Sequence, residues 1–153
     1  MSAVHVRLAS ERFEPTAELA ELTRCATGDG AVVSFIGLAR IVTKAGDPLD
    51  TLVLDNHPRL TTKSLQDIAS DAAKRFGVSH VHIVHRGGQI TPGEPIVFAG
   101  ASSTHRRAAF EAADYLMDRL KTEAIFWKRE EGANGSSWIE PTEADYADRG
   151  RWE

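Results

Sequence analysis

The segment from Thr104 to Lys121 constrains this chain most. Arg106, Phe110, Ala113, Met117 and Lys121 fall at i, i+4, i+7, i+11 and i+15, so they line one face of a long helix, with Thr104 or Ser103 placed to cap it. At 1.5 Å per residue, an unbroken helix holds Arg106 and Lys121 roughly 22 Å apart. That exceeds the span of one small-molecule pocket. A ligand touched by both must therefore sit where two chains meet, with two such helices antiparallel across a two-fold axis. The alternative is that both are solvated residues at helix ends. Lys121 suits the C-terminal end of the macrodipole, but Arg106 in the first turn does not; its charge adds to the helix N-terminus and makes an anion site.

The stretch from Thr104 to Glu130 concentrates His105, Arg106, Arg107, Lys121, Lys128 and Arg129 in a chain whose formal net charge is -4. Local positive charge in an acidic protein points to a pocket for an anion and argues against non-specific nucleic-acid binding. A length of 153 residues with 42% hydrophobic and 26% charged residues fits one domain over 1–153 that buries its own core. The lone cysteine, Cys25, allows no intrachain disulfide and reads as a buried residue of an apolar helix face. No apolar run approaches the ~18 residues of a membrane span and no signal pattern opens the chain, so a cytoplasmic setting is the expectation.

Alternation and turn residues set out the remaining elements. Val4–Leu8 reads as a strand and Pro15–Thr27 as a helix closed by Gly28. Residues 31–36 read as a strand of buried type ending at Gly37, and residues 40–48 as a loop. A short strand over 52–55 precedes a helix from Thr61 to Phe76. Strands follow over 78–84 and, beyond the turn at Thr91-Pro92-Gly93-Glu94, over 95–101. After the long helix come strands over 124–128 and 136–139, then a polar tail over about 141–153. The order is that of an α+β, or mixed α/β, domain.

Several residues carry candidate chemistry. Lys128 follows Phe126-Trp127, and a partly desolvated amine there would suit acid/base work; the bland alternative is a solvent-facing lysine in an alternating strand. Arg40 stands just beyond a buried strand, where site residues collect. His80, His82 and His85 offer pairs of imidazoles but no convincing third ligand, so no metal site is expected.

Five motifs in order resemble the large, catalytic subunit of molybdopterin synthase. They are Gly30 to Arg40; His85-Arg86 with Pro92-Gly93-Glu94; Ser103 to Arg106 with Ala109-Phe110; Met117-Asp118 with Leu120-Lys121; and Phe126 to Glu130 with Trp138. The resemblance implies an α/β-hammerhead-type domain with a small added antiparallel β subdomain. It also implies a sulfurtransferase that converts cyclic pyranopterin monophosphate into molybdopterin, with no cofactor of its own. The implied sulfur donor is a thiocarboxylate on the C-terminal Gly-Gly of a small ubiquitin-like subunit, in a heterotetramer built on a homodimer of large subunits. By motif, Lys121 and Lys128 match the catalytic lysines. Arg40, His105 and Arg106 match the substrate-anion pocket, Leu38 and Ala39 would lend backbone beside Arg40, and Arg129 and Glu130 would flank Lys128 at the pocket wall.

The chain departs from the family pattern at Asp55-Asn56-His57, where Glu-His-Tyr is common, and at Gly87, Ile125 and Ile41-Val42-Thr43. A competing reading is a non-catalytic module that only binds a ubiquitin-like tail; retention of both lysines, Arg40 and the His105-Arg106 pair speaks against it.

Overall fold

Two four-stranded sheets divide the strands of this chain. The computed structural model describes residues 3–153. The elements in order are β1 (Ala3–Ala9), α1 (Pro15–Cys25), β2 (Ala31–Leu38), β3 (Leu49–Asn56), α2 (Pro58–Phe76), β4 (His80–Arg86), β5 (Gly88–Ile90), β6 (Pro95–Ser103), α3 (Arg106–Glu123), β7 (Phe126–Gly132), β8 (Gly135–Ile139) and α4 (Glu143–Gly150). The first sheet has the order β1-β4-β6-β2, with β1 and β4 parallel and the other pairs antiparallel. The second, β5-β3-β7-β8, is antiparallel throughout. The mixed α+β architecture and the added antiparallel unit agree with the sequence reading.

Helices cover both faces of the first sheet. Leu65, Ile68 and Ala72 of α2 and Ala112, Leu116 and Leu120 of α3 pack on Val81, Ile83, Ala99 and Ala101. On the opposite face Leu22 of α1 packs with Phe13, Val84 and Phe98. Burying each such large side chain contributes about 1.5–3 kcal/mol. Leu49, Leu52, Leu54 and Ile90 form a smaller core under the second sheet; Phe126 and Ile96 touch both cores and join them.

Local chemistry explains the helix limits. Pro58 occupies the first turn of α2, His57 caps it by accepting the Leu60 N–H at Nδ1, and Gly77 closes it at φ 64°. That cap explains one departure, since His57 stands where the family commonly has tyrosine. Two others meet in space: a Cβ on Gly87 would lie 2.5 Å from Nδ2 of Asn56, so the missing side chain at one position makes room for the other.

The structure corrects four expectations. Residues 141–153 are not a polar tail: Thr142 and Asp145 form a capping box, α4 follows, and Trp152 packs edge-on against Phe76 and Tyr115. The Asp118 carboxylate accepts from both Arg151 (2.6 Å) and Trp152 Nε1 (2.7 Å), which ties this segment to α3. Strand β2 is not buried but an edge strand, with Phe35, Ile36 and Leu38 exposed. Cys25 is only half-buried, beside Glu21 and Arg24; Leu22 and Ala26 carry the core contact. The capping position of α3 is held by His105, one residue beyond Thr104, and no side chain caps it.

Candidate active site

Lys121 and Lys128 come together at the C-terminal end of α3. The helix runs unbroken from Arg106 to Glu123 and delivers Lys121 in its last turn; the chain turns at Ala124 and re-enters as β7. Strand alternation puts Phe126, Lys128 and Glu130 on one face of β7, in register with Asn56, Leu54 and Leu52 of β3, so Lys128 faces inward. Glu130, two residues on, is about 7 Å further along the same face. Burial lowers the Lys128 pKa below the ordinary lysine value. The charges of Lys121 and Arg40 lower it further, against the opposing pull of Glu130 and Asp145. An amine desolvated in this way, with cations as neighbours, sheds a proton more readily than a surface lysine.

Arg40 reaches this group from the loop after β2. Ala39, buried, is clamped to the turn before β6: its N–H donates to Glu94 O (2.9 Å) and its carbonyl accepts from Gly93 N–H (2.8 Å). The backbone of Ala39 is thus already bonded and is not free for a ligand, while Leu38 points an exposed side chain outward. Glu130 holds the same loop by accepting the Lys44 N–H at 2.9 Å. A cleft of about 450 Å³ lies between this loop and the β7–β8 hairpin, lined by Thr43, Lys44, Asp47, Glu130, Ser137 and Trp138 among others. Neither lysine lines it; Glu130 is the wall it shares with the lysine cluster.

The other sequence candidates lie elsewhere. His105 and Arg106 are exposed at the far end of α3. The start of β2 lies so close to them that a Cβ on Gly30 would collide with the Thr104 carbonyl. Arg129 projects from the opposite face of β7, paired with Asp55 (3.2 Å) and Glu131 (3.4 Å) and lying over the Trp138 ring, so it is turned away from Lys128. His82 and His85 occupy opposite faces of β4: His82 bonds Glu18 of α1 (3.0 Å), whereas His85 stacks on Phe126. Among the described residues no group of three His, Cys, Asp or Glu is arranged to hold a metal ion.

Two residues near the lysines escaped the sequence reading. Asp145 belongs to the segment taken as a solvated tail, yet its charge acts on Lys128. His85 entered the sequence reading as a possible metal ligand and as part of a family motif, with no role at the lysines, yet it is buried and feels the charge of Lys121. The apolar surroundings of its strand and its place in the His85-Arg86 motif were the available signals.

A family model described as MoaE protein matches residues 8–123. The chain belongs to the MoaE family. The molybdopterin synthase catalytic subunit of Caulobacter vibrioides is 46% identical over 97% of this chain and 97% of that protein. The corresponding subunit of Pseudomonas aeruginosa is 42% identical over 97% and 98%. Among solved structures, the molybdopterin biosynthesis MoaE protein from Burkholderia ambifaria superposes with a TM-score of 0.80 at 33% identity, covering 99% of this chain and 98% of the other. Membership assigns the chain an enzyme activity, sulfur transfer in molybdopterin biosynthesis. In this MoaE chain the structure gathers the lysine pair, Arg40 and Glu130 into one group and leaves His105 with Arg106 apart from it.

Proposed function

We propose that this MoaE chain installs dithiolene sulfur on cyclic pyranopterin monophosphate, taking it from the C-terminal Gly-Gly thiocarboxylate of a small ubiquitin-like subunit. Lys121 and Lys128 are the proton-transferring amines, and Arg40 binds substrate anion beside them. The observation that carries this reading is the convergence of Arg40, Lys121 and Lys128 around a partly desolvated amine. A thiocarboxylate and a phosphate are both anionic, so a cationic cluster with a lowered lysine pKa both binds them and moves protons. The cleft walled by Glu130 is the path by which an extended tail reaches the cluster. The lone cysteine plays no part as sulfur donor and suits a reducing, cytoplasmic setting.

The second half of the anion site, His105 and Arg106, is supplied by a second copy of the chain. The apolar surface of the β2 edge supports this arrangement: Phe35, Ile36, Leu38 (57% exposed) and Ile41 (71%) lie on β2 and the loop after it, and Phe110 (59%) on α3. An exposed edge strand with contiguous apolar side chains suits association with another copy. Mixing the protein with thiocarboxylated small subunit and pyranopterin, then assaying molybdopterin, tests the function. Tail binding without product would leave only the binding-module reading.

A further inference from the structure

Lys121 rides on a helix packed against the first sheet, and Lys128 on a strand of the second. Their separation therefore depends on how α3 and β7 are joined. Ile125 is part of that joint, between the two lysines in sequence, and is one of the positions where the chain departs from the family pattern. Both of its backbone groups are taken by hydroxyls near the start of α2. Its N–H donates to Ser64 Oγ (3.1 Å), and its carbonyl accepts from Thr61 Oγ1 (2.6 Å). Each hydroxyl both donates and accepts: Ser64 donates to the Thr61 carbonyl (2.7 Å), and Thr61 accepts the His57 N–H (3.1 Å). Thr61 is fully buried. A satisfied network around a buried threonine holds its members rigidly. Its far end is His57, where β3 passes into α2, so it ties the α3–β7 joint to the β3–α2 joint.

We infer that Thr61 and Ser64 are positioning residues for the lysine pair, clamping Ile125 so that Lys121 and Lys128 keep the spacing the reaction needs. This deepens the function proposed above and rests on it. Neither hydroxyl touches substrate in this role; both act through the Ile125 backbone. The conformation they hold is one that proline also adopts. Phe126 N–H donates to Ala124 O (3.0 Å), which closes a γ-turn on Ile125. No described non-glycine residue has positive φ, so the turn is of the inverse kind, with a central φ of about −75°. Proline fixes φ at about −65°. Ala124, at φ −68° and ψ 136°, already has the extended shape that proline imposes on its predecessor. A proline ring at 125 would therefore stiffen the joint and remove the N–H that Ser64 serves.

That substitution separates a clamp from ordinary packing. Wild-type activity is measured first. Ser64→Ala strands the Ile125 N–H and is expected to lose about 10–100-fold in kcat at a temperature where it is fully folded, with KM for the small subunit near wild type. The double variant Ser64→Ala/Ile125→Pro is expected to return to within about threefold of wild type, because no N–H is left to strand. Ser64→Ala within about threefold of wild type, or a double variant no better than Ser64→Ala, overturns the proposal. Thr61→Ser keeps the hydroxyl and should exceed the isosteric Thr61→Val by about tenfold in kcat; equal rates overturn it as well. Hydrogen exchange of the free protein reads the clamp without any assay. The Ile125 amide is expected to be protected in wild type and to exchange faster in Ser64→Ala, with the core amides of Val81 and Ile83 unchanged. A wild-type protein that makes no molybdopterin would sink the functional reading, whereas an unprotected Ile125 amide in wild type sinks only this inference.

Discussion

The two ends of α3 carry similar residues in opposite settings. At the C-terminal end Lys121 shares its surroundings with Lys128, Arg40 and Glu130, and a desolvated amine results. At the N-terminal end the side chains of His105 and Arg106 stand in solvent with no hydrogen bond or ion pair to any described residue. Under the function proposed here, one end is a finished arrangement and the other is half of one. The difference teaches that cationic residues on one helical face need not serve one pocket. With roughly 22 Å between them, they serve two pockets unless a second chain folds the distance away.

The largest effect is expected at the finished end. Lys121→Ala and Lys128→Ala should each cost about 10²–10⁴-fold in product formation with folding intact, as loss of a positioned proton-transfer group does. Activity within about threefold of wild type would remove the assignment. The comparison itself is broken or kept by complementation. Arg106→Ala and Lys121→Ala chains, each inactive, are mixed and allowed to exchange. If sites are shared, half the dimers are mixed and each has one intact site of two, so about a quarter of wild-type activity returns. A site within one chain leaves the mixture dead.

A third prediction concerns acid. The His85 pKa is depressed in the folded chain to about 4 from an unfolded value near 6.5, so the unfolded state binds the extra proton between those limits. The stability this confers is complete above pH 6.5 and is lost as pH falls towards 4, by roughly 3 kcal/mol at most. Urea unfolding at stepped pH should show that slope, and His85→Gln should flatten it.

At the unfinished end, Gly30→Ala should push the Thr104 carbonyl away and displace His105 and Arg106. The cost in stability is about 1–3 kcal/mol, and KM for the pterin should rise more than kcat falls. A change confined to kcat would uncouple this end from substrate binding. The smallest effect is Lys128→Met. Removing a desolvated charge while keeping the apolar stem should raise the thermal midpoint by a few degrees as activity disappears. A lower midpoint would mean that the amine is well solvated.

Local patterns made much of this legible. Helical spacing placed α3 and the separation of its ends, whereas spacing alone left Lys128 between a desolvated amine and a solvent-facing one and favoured the second; the structure gives the first. Strand alternation also held the answer for Arg129, whose neighbours on either side face inward, but adjacency to Lys128 in one motif obscured it. Non-local packing hid the rest. The burial of His85 depends on Phe126, which arrives from a distant strand of the other sheet. The polar surface of α4 concealed a helix tied to α3 by Arg149 on Glu123, by Arg151 on Asp114 and Asp118, and by the Trp152 indole on Asp118. Strand β2 read as buried because its outward residues are apolar as well; the structure shows them uncovered at the edge of the sheet.

The seat of Trp152 couples residues near position 150 to the electrostatic surroundings of Lys128. With its indole wedged between Phe76 and Tyr115, it moors the helix that carries Asp145, whose negative charge opposes the cations around Lys128. A purification tag or nick that levers out this one ring would detune an amine many residues away, while every residue assigned to catalysis stayed in place.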